Sequence, residues 1–134
     1  METAVCQVCM HRCRLKPGQQ GLCGARENQD GEIRCVNYGR ITSLNLDPIE
    51  KKPLKMFYPG SLILSVGSYG CNLRCPFCQN HEISMADGQT AVTGSLPPRE
   101  LVERARKYEP VCNIGVAFTY NEPLVGWEYV RDTA

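Results

Sequence analysis

Leu62-Ile63-Leu64-Ser65-Val66-Gly67-Ser68-Tyr69-Gly70-Cys71-Asn72-Leu73-Arg74-Cys75-Pro76-Phe77-Cys78 is the stretch on which the fold turns. Its first five residues form a short apolar run, expected as a buried strand of the parallel-sheet kind. Gly67-Ser68-Tyr69-Gly70 ends the run, and three cysteines follow in the spacing C-x3-C-x2-C. Thiolates this close in sequence converge without long-range folding. Three is an unusual number of ligands, because structural zinc closes with four, as does an ordinary iron–sulfur cubane. A three-thiol site leaves one metal position open, and open positions are where substrates bind. The carboxyl end of a strand is also where parallel α/β folds place their ligands.

Downstream, the pattern alternates. Pro97 and Pro98 open a helix with Ser95 as its cap, and Leu101, Val102, Ala105 and Tyr108 share one face of it. Pro110 stops that helix. Val111 to Tyr120 reads as a second apolar strand with Ile114, Val116 and Phe118 on one side, and Pro123 opens a helix carrying Leu124, Trp127 and Val130. Strand–helix–strand of this length is a parallel unit. Two such strands do not make a stable sheet alone. The expected fold class is therefore α/β: residues 61–134 are the first βα units of a longer barrel, with no cap on the last helix and a chain that looks truncated. About 250 residues are needed for a complete eight-stranded α/β barrel, against 134 here.

Upstream, residues 41–60 read as a connector, because Asp47-Pro48, Lys52-Pro53 and Tyr58-Pro59-Gly60 favour extended backbone and turns. Residues 1–40 read as a loop-rich, cysteine-rich knob that needs a metal rather than a core to hold it. Nine cysteines, an odd count, lie in tight groups with no basic-then-apolar leader before them. That usage points to thiolate ligation in a reducing cytoplasm rather than to a disulfide framework. The net charge is +1, from 15 basic and 14 acidic residues, which gives no electrostatic footprint for nucleic acid. The longest apolar stretch, Ser61 to Val66, is far short of the roughly 20 residues of a membrane span.

C-x3-C-x2-C after the first strand, with the aromatic Phe77 before the last cysteine, resembles the radical S-adenosylmethionine superfamily. The resemblance implies a (β/α)6 barrel, of which this chain is the front part. It also implies a [4Fe–4S] cluster, three of whose four irons are held by Cys71, Cys75 and Cys78. The fourth iron is then chelated by the amino and carboxylate groups of S-adenosylmethionine, with Phe77 near the adenine. Reduction of the sulfonium gives a 5′-deoxyadenosyl radical. Family members carry a Gly-Gly-Glu-Pro-like motif after the second strand to receive the ammonium group. Here Thr119-Tyr120-Asn121-Glu122-Pro123 occupies that place, so Asn121 and Glu122 are the implied acceptors, and Tyr120 and Asn121 stand where the family has glycines.

Gln79-Asn80, Asp47-Pro48-Ile49-Glu50-Lys51-Lys52-Pro53-Leu54 and Phe57-Tyr58-Pro59-Gly60-Ser61 narrow the resemblance. Together they are similar to the pyruvate formate-lyase activating enzyme-related group, and within it to the AmmeMemoRadiSam system radical enzymes. This implies an oxidoreductase with a flavodoxin- or ferredoxin-type electron donor, and a glycine of a partner enzyme as substrate.

Cys6, Cys9, Cys13 and Cys23 are four soft ligands in a glycine-rich stretch, suited to zinc or to an auxiliary iron–sulfur cluster. Cys35 is an alternative fourth member. The competing readings are a non-catalytic zinc-binding interaction module, with the central triplet closed by His81 or Cys112, and an inactive fragment.

Overall fold

The computed structural model describes residues 2–134. Two small antiparallel hairpins come first: β1 (Ala4–Val5) with β2 (Arg14–Leu15), and β3 (Arg26–Gln29) with β4 (Glu32–Cys35). Next come β5 (Arg40–Ile41), β6 (Ser43–Pro48), β7 (Leu62–Gly67), α1 (His81–Ser84), β8 (Gly94–Ser95), α2 (Pro98–Lys107), β9 (Asn113–Phe118) and α3 (Trp127–Thr133). The loop-rich reading of residues 1–40 thus missed two hairpins. The second turns on Asp30-Gly31, both at positive φ, as a two-residue hairpin requires.

The central sheet has the order β6-β7-β9. β7 and β9 are parallel, as the strand–helix–strand pattern implies. The stretch read as a connector supplies the third strand: β6 runs antiparallel to β7, with Leu44 opposite Val66 and Leu46 opposite Leu64. These four side chains lie on the helix side of the sheet, where Leu64 and Val66 join Leu96, Leu101, Ala105 and Tyr129 in the main core. Leu101 and Ala105 come from the expected face of α2, but its cap differs. Pro97 takes the N-cap position without a side-chain bond, while Ser95 pairs with Arg40 in the β5–β8 ladder.

The last helix is turned from its expected face. A 3-10 turn over Pro123–Gly126 precedes α3 and shifts the phase, so Val125 and Tyr129 are buried while Leu124 and Trp127 are exposed. β9 is also shorter than the apolar run, because Glu109–Val111 form a 3-10 turn and Cys112 is left-handed at φ +67°.

One buried ion pair fastens the N-terminal hairpins to α3. Arg26, 3% exposed, donates to both Glu128 carboxylate oxygens at 2.6 Å and through Nε to the Val125 carbonyl at 2.7 Å. Among the described residues no helix is long and apolar enough to cross a membrane.

The Tyr129 hydroxyl donates to the Leu96 carbonyl at 2.8 Å, and the ring meets Phe118 and Tyr38 edge-on. Burial, with a smaller contribution from Tyr38, pushes its pKa from 10.0 up to about 12. The unfolded chain releases this proton first. Stability is therefore full below about pH 10 and falls as pH climbs toward 12. Tyr129→Phe should flatten that fall and cost about 1–2 kcal/mol near neutrality, as read from denaturant melts at neutral and alkaline pH.

Candidate active site

The site is built around the loop that leaves the carboxyl end of β7. Tyr69 is fully buried. Its hydroxyl donates to the Val36 carbonyl at 2.9 Å and accepts from Arg40 at 3.1 Å, and the Arg40 guanidinium stands 5.1 Å from the ring centre. Asn37 Nδ2 donates to the Tyr69 carbonyl at 2.9 Å. Ser68 Oγ donates to the Arg40 carbonyl at 2.6 Å, and Thr42 Oγ1 donates to the Ser68 carbonyl at 2.9 Å. Residues 36–42 therefore form a cradle that no local sequence pattern marks, because its bonds are mostly to backbone atoms.

The N-terminal stretch closes over the next residues. Gly70 sits at φ +85°, and a Cβ there would stand 2.5 Å from the Cys23 carbonyl oxygen. The Cys71 amide donates to that same carbonyl at 3.1 Å. Arg74 donates to the Leu22 carbonyl at 2.7 Å, and the His11 ring Nε2 lies 2.9 Å from the Asn72 carbonyl oxygen. The other histidine, His81, places Nδ1 3.2 Å from the Cys78 carbonyl oxygen.

Cys71 is buried, whereas Cys75 and Cys78 are half-buried. The Cys78 amide donates to the Cys75 carbonyl at 3.2 Å, closing a tight turn. Cys71 Sγ accepts from the Leu73 amide, and Cys78 Sγ lies 3.4 Å from Ser84 Oγ. Phe77 projects outward, 86% exposed. Among the described residues no three His, Cys, Asp or Glu side chains are gathered closely enough to hold a metal ion. The triplet shares one loop without forming a closed ligand set.

The same holds in the N-terminal stretch. The Cys6 amide donates to the Cys13 carbonyl at 2.9 Å. Burial pushes the Cys23 thiol pKa up, and nearby Cys6 and Cys9 push it the same way. All nine cysteines are free thiols. Cys35 lies beside Arg26 and Glu128, with its pKa pushed up to about 11, mainly by burial.

The end of β9 meets the triplet loop through Asn121. Its Oδ1 accepts from the Ser68 amide at 3.1 Å, and its Nδ2 donates to the carbonyls of Tyr69 at 3.3 Å and Gly70 at 2.9 Å. The side chain is a strut between the two strand ends. Glu122 Oε1 accepts from the Leu124 amide at 3.0 Å and caps the following turn. Tyr120 adopts φ +72°, the left-handed backbone that a glycine takes without strain.

Two parallel strands carry a three-thiol loop and an Asn-Glu-Pro turn at their carboxyl ends, in a mixed α/β protein. Residues 65–134 match the family model of the Radical SAM superfamily, and the chain belongs to that superfamily. Members bind a [4Fe–4S] cluster and use S-adenosylmethionine. An uncharacterized protein of Methanocaldococcus jannaschii is 42% identical over 129 residues. The alignment takes in 96% of this chain and 38% of that protein, so the chain spans well under half of the relative's length. No solved structure matches the chain.

Asn121→Ala should cost about 1–3 kcal/mol, from three lost hydrogen bonds that leave the Ser68 amide and the Gly70 carbonyl without this partner, while the Tyr69 carbonyl keeps Asn37. Faster hydrogen exchange at the Ser68 amide, with exchange in the β3–β4 hairpin unchanged, is the expected signature.

Proposed function

We propose that this chain carries the cofactor-binding front of a radical S-adenosylmethionine enzyme. The observation that carries the reading is the three-thiol loop at the carboxyl end of β7, strapped by Asn121 to the carboxyl end of β9. The donor set fits an iron–sulfur cluster, since all three donors are soft thiols. Beside Cys71, the buried Asn72 Oδ1 has no hydrogen-bond partner, so the loop keeps an unused acceptor at the site.

Cys71, Cys75 and Cys78 would hold three irons and leave the fourth to the amino and carboxylate groups of S-adenosylmethionine. When bound there, the group would supply one-electron reduction of the sulfonium of S-adenosylmethionine, the chemistry from which methionine and a 5′-deoxyadenosyl radical would follow. The chain's own residues orient the reactants. Asn121 spends its side chain on the loop, so reception of the ammonium falls to Glu122, whose Oε1 alone is engaged in capping. Phe77, exposed on the loop, has the room to cover an adenine. The helix-free face of the sheet would line the interior of a (β/α)6 barrel.

The Asp47–Leu54 and Phe57–Ser61 segments support a finer placement, near the pyruvate formate-lyase activating enzyme-related group and the AmmeMemoRadiSam radical enzymes. On that placement the enzyme is a cytoplasmic oxidoreductase. Its electron comes from a flavodoxin- or ferredoxin-type donor, and its substrate is a glycine on a partner protein. Cys6, Cys9, Cys13 and Cys23 would form a second soft-donor site for zinc or an auxiliary cluster, a reading supported by four soft thiols within 18 residues of a glycine-rich stretch.

Anaerobic reconstitution should load about four irons at the central site. The electron paramagnetic resonance of the reduced protein should change when S-adenosylmethionine is added. Cys75→Ala should lose that signal and those irons while retaining whatever metal the N-terminal site holds. Zinc alone, or a cluster spectrum indifferent to S-adenosylmethionine, would sink the reading and favour a zinc-binding module.

A further inference from the structure

The segment Asp47-Pro48-Ile49-Glu50-Lys51-Lys52-Pro53 has no part in the chemistry above, yet it builds an organised charged cluster on the helix-free face of the sheet. Leu44, Leu46, Leu64 and Val66 point to the helices. Strand alternation therefore puts Asn45, Asp47, Ile63 and Ser65 on the opposite face, where Asn45 pairs with Ser65 and Asp47 with Ile63.

Tyr120 reaches this face from the far end of the sheet. Its left-handed backbone turns the ring back over Gly67, where a Cβ would stand 2.7 Å from Tyr120 Cδ2. The hydroxyl donates to Asp47 Oδ2 at 3.0 Å and accepts from Asn45 Nδ2 at 3.1 Å. Lys51 Nζ donates to Asp47 Oδ1 at 3.0 Å. Burial works to raise the Asp47 pKa, but the bonds from Lys51 and Tyr120 outweigh it, so the carboxyl is held below its usual range. Ser65 bears on the same carboxyl at a geometry short of a hydrogen bond, and its buried Oγ has no partner.

Lys52 is the unusual member. Its side chain is only 17% exposed, its Nζ lies 3.7 Å from Asp47 Oδ2, and it stands 5.7 Å from the Tyr120 ring centre. Among the described residues its ammonium is within hydrogen-bond distance of no acceptor. An ammonium has three donors, and withdrawing it from water without acceptors is unfavourable. Lys51 and Lys52 together face one aspartate, which leaves one positive charge in excess. Beside Lys52 a groove runs along the sheet, walled by Ile49, Leu54, Phe57, Ile63 and Ala117.

We propose that this face binds a small organic oxyanion. Its carboxylate or phosphate would sit on Lys52 Nζ, and its apolar body would lie in the Ile49–Phe57 groove. Asp47 is a positioning residue that holds Lys51 and the Tyr120 hydroxyl in place around the ammonium. The site rests on the proposed function for its place on the face that would line the barrel, but its binding needs neither cluster nor S-adenosylmethionine.

The test is a ligand-observed NMR titration with phenylacetate and phenyl phosphate, with phenylacetamide as the neutral match and inorganic phosphate as the bodiless match. It is run on the chain before and after anaerobic reconstitution, so that iron content reports on the radical reading and the titration on this one. Saturable binding of phenylacetate or phenyl phosphate is expected, and whichever binds more tightly identifies the oxyanion. Phenylacetamide should bind at least about tenfold more weakly, as should inorganic phosphate. Lys52→Met should lose about tenfold or more, while Lys52→Arg keeps the charge and the binding, and Lys107→Met on the helix side changes nothing. No saturable binding of either aromatic anion, equal binding of phenylacetamide, or an unaffected Lys52→Met overturns the proposal.

Discussion

The Cys71 amide reaches the Cys23 carbonyl at 3.1 Å only because Gly70, at φ +85°, offers that carbonyl no side chain. The position of the triplet loop depends on this approach. With Cys23 beneath it, the loop also meets Leu22 through Arg74 and His11 through Asn72. The two cysteine groups are therefore one structural unit, joined backbone to backbone. Any ligand that tightens the N-terminal group acts on the loop through a contact with no flexible side chain in it.

The second constraint is at Tyr120. An aromatic residue with left-handed backbone is strained. Here the strain is offset by what the turn achieves: the ring covers Gly67 and the hydroxyl settles between Asp47 and Asn45. The next residue, Asn121, then falls in register with the Ser68–Gly70 backbone. Where the family motif has two glycines that leave the backbone bare, this chain keeps the backbone turn and gives each side chain a structural task. Tyr120 points to the helix-free face, Asn121 to the loop, and Glu122 to the cap of the following turn.

Much of this was legible from residues alone, for reasons that differ by element. β7, α2 and β9 announced themselves because continuous apolar runs and a proline-bounded amphipathic stretch each permit few structures. The triplet was legible because thiol spacing is a local property. β6 carries its own signal, since Ser43-Leu44-Asn45-Leu46-Asp47 alternates with a period of two, but Pro48 and the charges after it mask that signal with turn chemistry. Asp30-Gly31 is likewise a hairpin signal, masked by the polar, glycine-rich stretch around it. The phase of α3 could not be read, because one 3-10 turn rotates everything after it. Asn121 was read as a ligand residue from its place in a motif. Its role as a strut depends on where Ser68 lies, a contact across 53 residues that no local pattern encodes.

The Arg26–Glu128 pair joins residues 102 apart in sequence, and it is the bond that holds the N-terminal hairpins against the last helix. During synthesis the hairpins emerge long before their partner. Until Glu128 is available, Arg26 has no carboxylate to meet, and its burial against Val125 is also impossible. Closing so long a loop is entropically slow. The hairpins therefore emerge able to meet the triplet loop through Cys23 and Leu22, and the Arg26 contact with α3 is made only when Glu128 has followed.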